Sequence, residues 1–285
     1  MAARGNEPGR GWFRYPMEVS TVPVIPREAH PVLLRLGLAA GLLLAAAAPP
    51  AAAETDVDVE LVLAVDISQS MDEDEQRVQR DGYVKALLSD EVVEAIADGL
   101  NGKVAVTYVE WGGTSEQFVV AGWTVIDGRE AAQSFADQLA AAPLRTVQRT
   151  SIAAALTFAA DLFETNDVRG DRRVIDISGD GPNNQGGTVT ESRDAILARG
   201  VVINGLPLMM KAGGSWYYLP NLDQYYSDCV IGGPGAFTIP VKSLEGFADA
   251  IRRKLVLEIA DRGHEAARVI PAAEERTRVP CNLYD

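Results

Sequence analysis

Residues Val59–Met71, VELVLAVDISQSM, decide how this chain is read. The run Leu61–Val65 is apolar at every position. A strand buried on both faces of a parallel sheet reads this way, whereas a half-exposed strand alternates. The run ends in Asp66-Ile67-Ser68-Gln69-Ser70, a carboxylate and two hydroxyls at alternate positions, and the acidic stretch Asp72–Glu75 then opens a helix. In open α/β sheets, ligands bind outside the carboxyl ends of parallel strands. Oxygen donors there, without nitrogen or sulfur, suit Mg²⁺, Mn²⁺ or Ca²⁺ rather than zinc or copper.

On the N-terminal side, Pro31–Ala48 is rich in Leu and Ala and broken only by Arg35. Arg4, Arg10, Arg14 and Arg27 precede it, and Ala51-Ala52-Ala53 follows. A basic flank, an apolar core and a small-residue exit make a secretory signal peptide, with translation starting at Met1 or Met17. The competing reading is a membrane anchor, for which the stretch is somewhat short. Residues 1–53 are therefore set aside as a removed leader, and no membrane insertion is expected afterwards. The remainder fits one α/β domain over 54–262, with an irregular insertion at 211–235 and a polar tail at 263–285.

The whole chain carries a formal charge of −14, and removing the leader's five Arg and three Glu takes it to −16. Such acidity argues against nucleic acid and anionic membranes as partners and favours cations or basic surfaces, or simply solubility. There are two cysteines, Cys229 and Cys281. An even count in an exported chain points to a disulfide holding the tail against the insertion, the alternative being two buried thiols.

Further along, apolar strands alternate with helical stretches. Strands are expected at 59–66, 103–111, 171–178, 201–206 and 236–241, with one at 117–123 folded back antiparallel through the short turn Gly112-Gly113. Helices are expected at 73–88, 91–100, 129–141, 152–164, 188–199 and 243–260, the last capped by Ser243. The expected fold is thus α/β, a doubly wound and mainly parallel six-stranded sheet with one antiparallel edge strand and helices on both faces.

The DxSxS pattern of Asp66, Ser68 and Ser70 resembles the first motif of the metal-ion-dependent adhesion site (MIDAS) of von Willebrand factor type A (vWA) domains. Two further loops resemble its partners: Arg149-Thr150-Ser151-Ile152, and Ile177-Ser178-Gly179-Asp180-Gly181. Thr150 lies 84 residues after Asp66, and Asp180 a further 30 on. The family often has Thr-Asp-Gly where this chain has Ser178-Gly179-Asp180-Gly181; the extra Gly shifts Asp180, with Asp176 a poor substitute that faces the sheet. More closely, the stretches LVLAVDISQSM, RTSIAAAL, DISGDGPNN and DCVIGGPGAF resemble bacterial exported vWA-like proteins of the DUF1194 family.

The resemblance implies a vWA fold with one divalent cation, Mg²⁺ foremost. Ser68 and Ser70 would bind it directly, Thr150 would enter or leave with its loop, and Asp66 and Asp180 would act largely through water. A vertex left open would take a carboxylate from a partner protein, in the periplasm or outside the cell. Each residue also has a plainer role available. Ser68 and Ser70 can cap the first helix, Thr150 can cap a later one, and Asp180 can be a turn residue. Asp72–Glu75 can simply complement a helix dipole.

Enzymatic readings find less support. His264 is the one histidine after the leader, too little for Ser–His or Cys–His catalysis or for multi-histidine zinc. No nucleophile elbow, P-loop or dinucleotide fingerprint is present. Asp66 followed by Ser68 also departs from the paired aspartates of haloacid dehalogenase-like phosphohydrolases. A Mg²⁺-dependent phosphohydrolase is the alternative, and a structural fold without metal is a third. The insertion's Trp216, Tyr217, Tyr218, Tyr225 and Tyr226 offer either an aromatic partner surface or a local mini-core.

Overall fold

The computed structural model describes residues 54–210, 219–260 and 278–282. The leader, Trp216, Tyr217, Tyr218, His264 and most of the tail lie outside the described residues.

The chain runs β1 (Thr55–Asp66), α1 (Glu73–Leu87), α2 (Asp90–Ala97), β2 (Val104–Trp111), β3 (Gln117–Ile126), α3 (Arg129–Ala141), α4 (Ile152–Leu162), β4 (Val168–Gly179), α5 (Val189–Leu197), β5 (Val201–Pro207), the short α6 (Leu222–Tyr225) and α7 (Phe247–Ala260). A single π-helical turn, Tyr226–Val230, continues α6. Among the described residues, no helix is long and apolar enough to cross a membrane.

The sheet has the order β3-β2-β1-β4-β5. β1 is central and pairs in parallel with β2 and β4, β4 pairs in parallel with β5, and β3 is the antiparallel edge. Position in the sheet explains the composition of each strand. β2, flanked on both sides, is buried at all eight positions, whereas β3 at the edge is mostly half-buried.

The sheet has five strands rather than the expected six. Segment 236–241 does run parallel to β5, but meets it only at isolated bridges, Gly205–Thr238 and Leu208–Val241. The Gly205 amide donates to the Phe237 carbonyl, and the Ile239 amide to the Gly205 carbonyl, each at 3.1 Å. Pro240 has no N–H to extend this ladder. The last helix is also shorter than expected. Ser243 accepts instead from the Gly246 amide at 3.3 Å, capping a turn ahead of α7.

Alternate residues of β1 enter two separate cores. Val59, Leu61, Leu63 and Val65 pack with residues of α1, α2, α3 and α7, whereas Val62 and Ala64 pack with residues of α4, α5 and the π-turn. Cys229 in that turn is disulfide-bonded to Cys281, and the Val279 amide donates to Asp228 Oδ2 at 2.9 Å. The described end of the tail is thereby fixed beside the second core.

The first core holds a buried charge cluster. Lys254 of α7 is fully buried, with its ammonium 2.7 Å from Asp176 of β4 and ion-paired to Glu258. Asn204 of β5 donates to Glu258 Oε1 at 3.0 Å. One cation faces two carboxylates here. Burial, with Asp176 adding to it, raises Glu258 to about 7, against the pull of Lys254 and Asn204.

A carboxyl raised above its unfolded value stabilises the fold fully below that unfolded value and loses the contribution as pH rises through the folded one. Stability contributed by Glu258 is therefore expected to fall between pH 4.5 and about 7. Urea unfolding of Glu258→Gln across this range should show a flatter decline than the parent. Parallel curves would place the extra proton elsewhere.

Candidate metal centre

The site is built where three loops meet at the carboxyl ends of β1 and β4. The loop after β1 is anchored at its root: the Ile67 amide donates to the Trp111 carbonyl at 2.9 Å, and the Val147 amide donates to the Ile67 carbonyl at 3.1 Å. A tight turn follows, with the Met71 amide donating to the Ser68 carbonyl at 2.9 Å. This turn brings the two serines to one side, with Ser68 Oγ and Ser70 Oγ 2.9 Å apart. Ser70 Oγ then donates to Asp180 Oδ1 at 2.6 Å. At the lower end, the Ser68 amide donates to Asp66 Oδ1 at 2.7 Å.

Asp66, Ser68, Ser70 and Asp180 thus form one continuous polar line. Asp66 and Ser68 are buried, Asp180 is half-buried and Ser70 is exposed. The extra Gly does not take Asp180 out of reach of the first loop. Asp176, the substitute considered from sequence, faces Lys254 on the other side of the sheet.

The helix caps lie elsewhere. Asp72 is the N-cap of α1: its Oδ1 accepts from the Glu75 amide at 2.8 Å, and Glu75 Oε2 accepts from the Asp72 amide at 2.9 Å. Ser151 is the N-cap of α4, accepting from the Ala154 amide at 3.3 Å. The capping duties that Ser68, Ser70 and Thr150 could have filled belong to their neighbours. Asp72 and Glu75 accordingly take the helix-terminus role rather than lining the site.

Thr150 is buried on a loop tied to both neighbours. The Ser151 amide donates to the Gly112 carbonyl at 2.7 Å. Asn184 clamps Thr150 reciprocally, its Oδ1 accepting from the Thr150 amide and its own amide donating to the Thr150 carbonyl, each at 2.9 Å. Just ahead, Arg149 has φ 69°, the one positive φ outside glycine among the described residues. Non-glycine residues reach this region at a cost, and such positions cluster at functional sites. The sequence offered no reason to single out Arg149. The adjacent asparagines after Asp180-Gly181-Pro182 were the available signal for the clamp.

Tyr225 and Tyr226 are corrected from a partner surface to core residues, 1% and 0% exposed. They lie on the last turn of α6 and the π-turn, packed against β5 and α5 in the second core. Tyr225 Oη accepts from the Asn183 amide at 3.2 Å, and Asn183 Oδ1 accepts from the Ala153 amide at 3.2 Å. The loop carrying Asp180 is therefore supported from below by the insertion and from the side by α4.

Electrostatics single out Asp66. Its carboxyl is pushed up to about 8, first by complete burial and then by Asp180, against hydrogen bonds from Ser68 and the Asp180 amide. Its Oδ2 is buried without a hydrogen-bond partner. Among the described residues, no group of three or more His, Cys, Asp or Glu side chains could hold a metal. The oxygens brought together here are instead those of two carboxylates and of the Ser68 and Ser70 hydroxyls, with Thr150 on the adjoining loop. Such an oxygen set fits a hard dication, which would supply the positive charge that Asp66 lacks.

A family model described as protein of unknown function (DUF1194) matches residues 56–263. The chain belongs to the DUF1194 family. No curated protein matches it. Among solved structures, it resembles proximal thread matrix protein 1 from the mussel byssus, with zinc in its MIDAS motif, at 14% identity and a TM-score of 0.54, covering 73% of this chain and 49% of that one. It also resembles the pilus adhesin SpaC from Lactobacillus rhamnosus GG, at 13% identity and a TM-score of 0.54, covering 71% of this chain and 30% of that one. The DUF1194 chain thus spans about half the length of the first and less than a third of the second. These likenesses establish a vWA-like fold.

The division between capping and site residues has a measurable consequence. Replacing Asp72 by Ala should cost about 1 kcal/mol, or roughly 2–4 °C in Tm for a domain of this size. Replacing Ser70 by Ala, in chelator, should change stability by less than about 0.5 kcal/mol. The reverse order in thermal melts would return the cap to Ser70.

Proposed function

We propose that this DUF1194 protein is an exported interaction module. It holds one divalent cation, Mg²⁺ foremost with Mn²⁺ or Ca²⁺ as alternatives, at Asp66, Ser68, Ser70, Thr150 and Asp180. It offers the cation's remaining position to a carboxylate of a partner protein in the periplasm or outside the cell. The observation that carries this reading is the line Ser68–Ser70–Asp180, joined at 2.9 and 2.6 Å, whose hydroxyls are not used as caps. The burden on Asp66 supports it, since a carboxylate raised to about 8 beside a second carboxylate is what a dication would relieve.

The role of each residue follows from its chemistry. Ser68, Ser70 and Thr150 offer neutral oxygens, and Asp66 and Asp180 offer charge. A cation held by few direct carboxylates keeps enough positive charge to attract an outside oxygen anion. The reading is one of binding rather than catalysis.

Calorimetric titration of the purified protein with Mg²⁺ should give saturable heat that Ser68→Ala combined with Ser70→Ala abolishes. The parent's Tm should rise with Mg²⁺ and fall with chelator, because a ligand that binds only the native state stabilises it. Equal behaviour of parent and variant would remove the site. Turnover of a simple phosphate ester under Mg²⁺, lost in Asp66→Ala, would replace binding by hydrolysis as the function. Capture of a cell-envelope partner should require the cation and fail when that partner's contacting Asp or Glu is replaced by its amide.

A further inference from the structure

The insertion places a tyrosine under the site in a way that neither the motif nor the disulfide requires. Tyr226 is fully buried, and its hydroxyl has no hydrogen-bond partner. Its ring crosses β5 at Gly205, where an added Cβ would stand 2.7 Å from Tyr226 Cδ1. Its hydroxyl ends at Gly179, the residue before Asp180. An added Cβ there would stand 2.8 Å from Tyr226 Oη and 2.9 Å from Asp66 Oδ2. Two unsatisfied buried oxygens, one a donor and one an acceptor, therefore border the same small space.

Each group left unmade carries the desolvation penalty of a buried polar atom, so their convergence at one point calls for a reason. It also accounts for the sequence around Asp180. Any side chain at position 179 would fill the space where the phenol and carboxylate meet, so Gly179 is a condition of the arrangement. Tyr225, one residue earlier, sends its hydroxyl to the Asn183 amide at 3.2 Å. Adjacent tyrosines thus reach the Asp180 loop at 179 and 183, on either side of Asp180.

We infer that Tyr226 is a positioning residue of the cation site, its phenol donating to Asp66 Oδ2 directly or across one trapped water. This inference rests on the cation-site reading above. Asp66 Oδ1 is held by the Ser68 amide at 2.7 Å. With Oδ2 also held, the carboxylate is fixed in orientation before any cation arrives, and an oxygen with two lone pairs still has one to offer. Groups behind a ligand that fix its orientation typically change metal affinity 10–100-fold when removed. Cys229, three residues after Tyr226 in the same π-turn, is bonded to Cys281, which anchors the turn that carries the phenol.

The test is Tyr226→Phe in the full mature chain, with Tyr83→Phe as control. Tyr83 is also fully buried with an unpartnered hydroxyl, but it lies in the other core. Tyr226→Phe should weaken Mg²⁺ binding by calorimetry about tenfold or more, and Tyr83→Phe by less than about twofold. Equal affinities for Tyr226→Phe and the parent would overturn the inference, as would equal losses in both variants.

A second measurement does not depend on a cation. In protein labelled with carbon-13 at tyrosine Cζ, the resonance missing from Tyr226→Phe identifies Tyr226. It should shift in Asp66→Asn, measured in chelator, and no shift would overturn the inference. If the parent gives no Mg²⁺ heat, the cation-site reading falls, and this resonance still decides whether Tyr226 bonds Asp66.

Discussion

The carboxylate of Asp66 ends the central strand fully buried, with a second carboxylate nearby. Burial of that kind raises a carboxyl to about 8 here, and the neighbouring amides and hydroxyl only partly offset it. The surrounding architecture follows from this constraint. β1 must be central for its end to be so deeply covered. The loops must be tight for Ser68 to reach back to Asp66, and the β4 loop must approach closely enough for Ser70 to bond Asp180. A fold in which Asp66 served only stability would gain by replacing it with Asn, which fits the same hydrogen bond from Ser68 without the charge.

Adjacent positions divide the labour. Asp72 and Ser151 close the first turns of α1 and α4. Their neighbours Ser70 and Thr150 belong to the loops of the site. In each case the capping residue fixes where the helix begins, and therefore where the preceding oxygen is presented. Asn184 extends this logic across loops. It bonds Thr150 through both its backbone and its side chain, so the loops that carry Thr150 and Asp180 are held as one unit.

Much of this was legible in the sequence, for identifiable reasons. The unbroken apolar run Leu61–Val65 specified a strand buried on both faces, and the disulfide followed from an even count of two cysteines in a chain read as exported. Short-range chemistry was read less well. Ser68, Ser70 and Thr150 each admitted a capping role, and in the folded chain the neighbouring residues Asp72 and Ser151 fill it. The extra strand at Ala236–Val241 was read from its apolar content, while the missing N–H of Pro240 limits it to isolated bridges. Tyr225 and Tyr226, lying in an irregular insertion, admitted both a partner surface and a local mini-core. Nothing local in the sequence says that a π-turn folds them under β5. Gly179 carried the most overlooked signal, since an extra glycine beside a site aspartate marks a place that something else must occupy.

β4 itself supplies the comparison that bears most directly on function. Its residues Asp176 and Asp180 lie four apart on one strand and the loop that follows it. Asp176 is buried on the first core's side, where α7 provides Lys254 at 2.7 Å, so that carboxylate and Glu258 share an internal cation. Asp66, buried just as completely next to Asp180, is held by two amides and one hydroxyl, donors too weak to bring its carboxyl back to the ordinary range. The same domain thus neutralises one buried acidic pair with its own lysine and meets the other with neutral oxygens at the mouth of a loop cluster. Neutral donors in that position leave the charge to be balanced from solution. On the reading proposed above, a dication would supply that charge, and its open vertex would lie on the side where Ser70 is exposed and Asp180 half-buried.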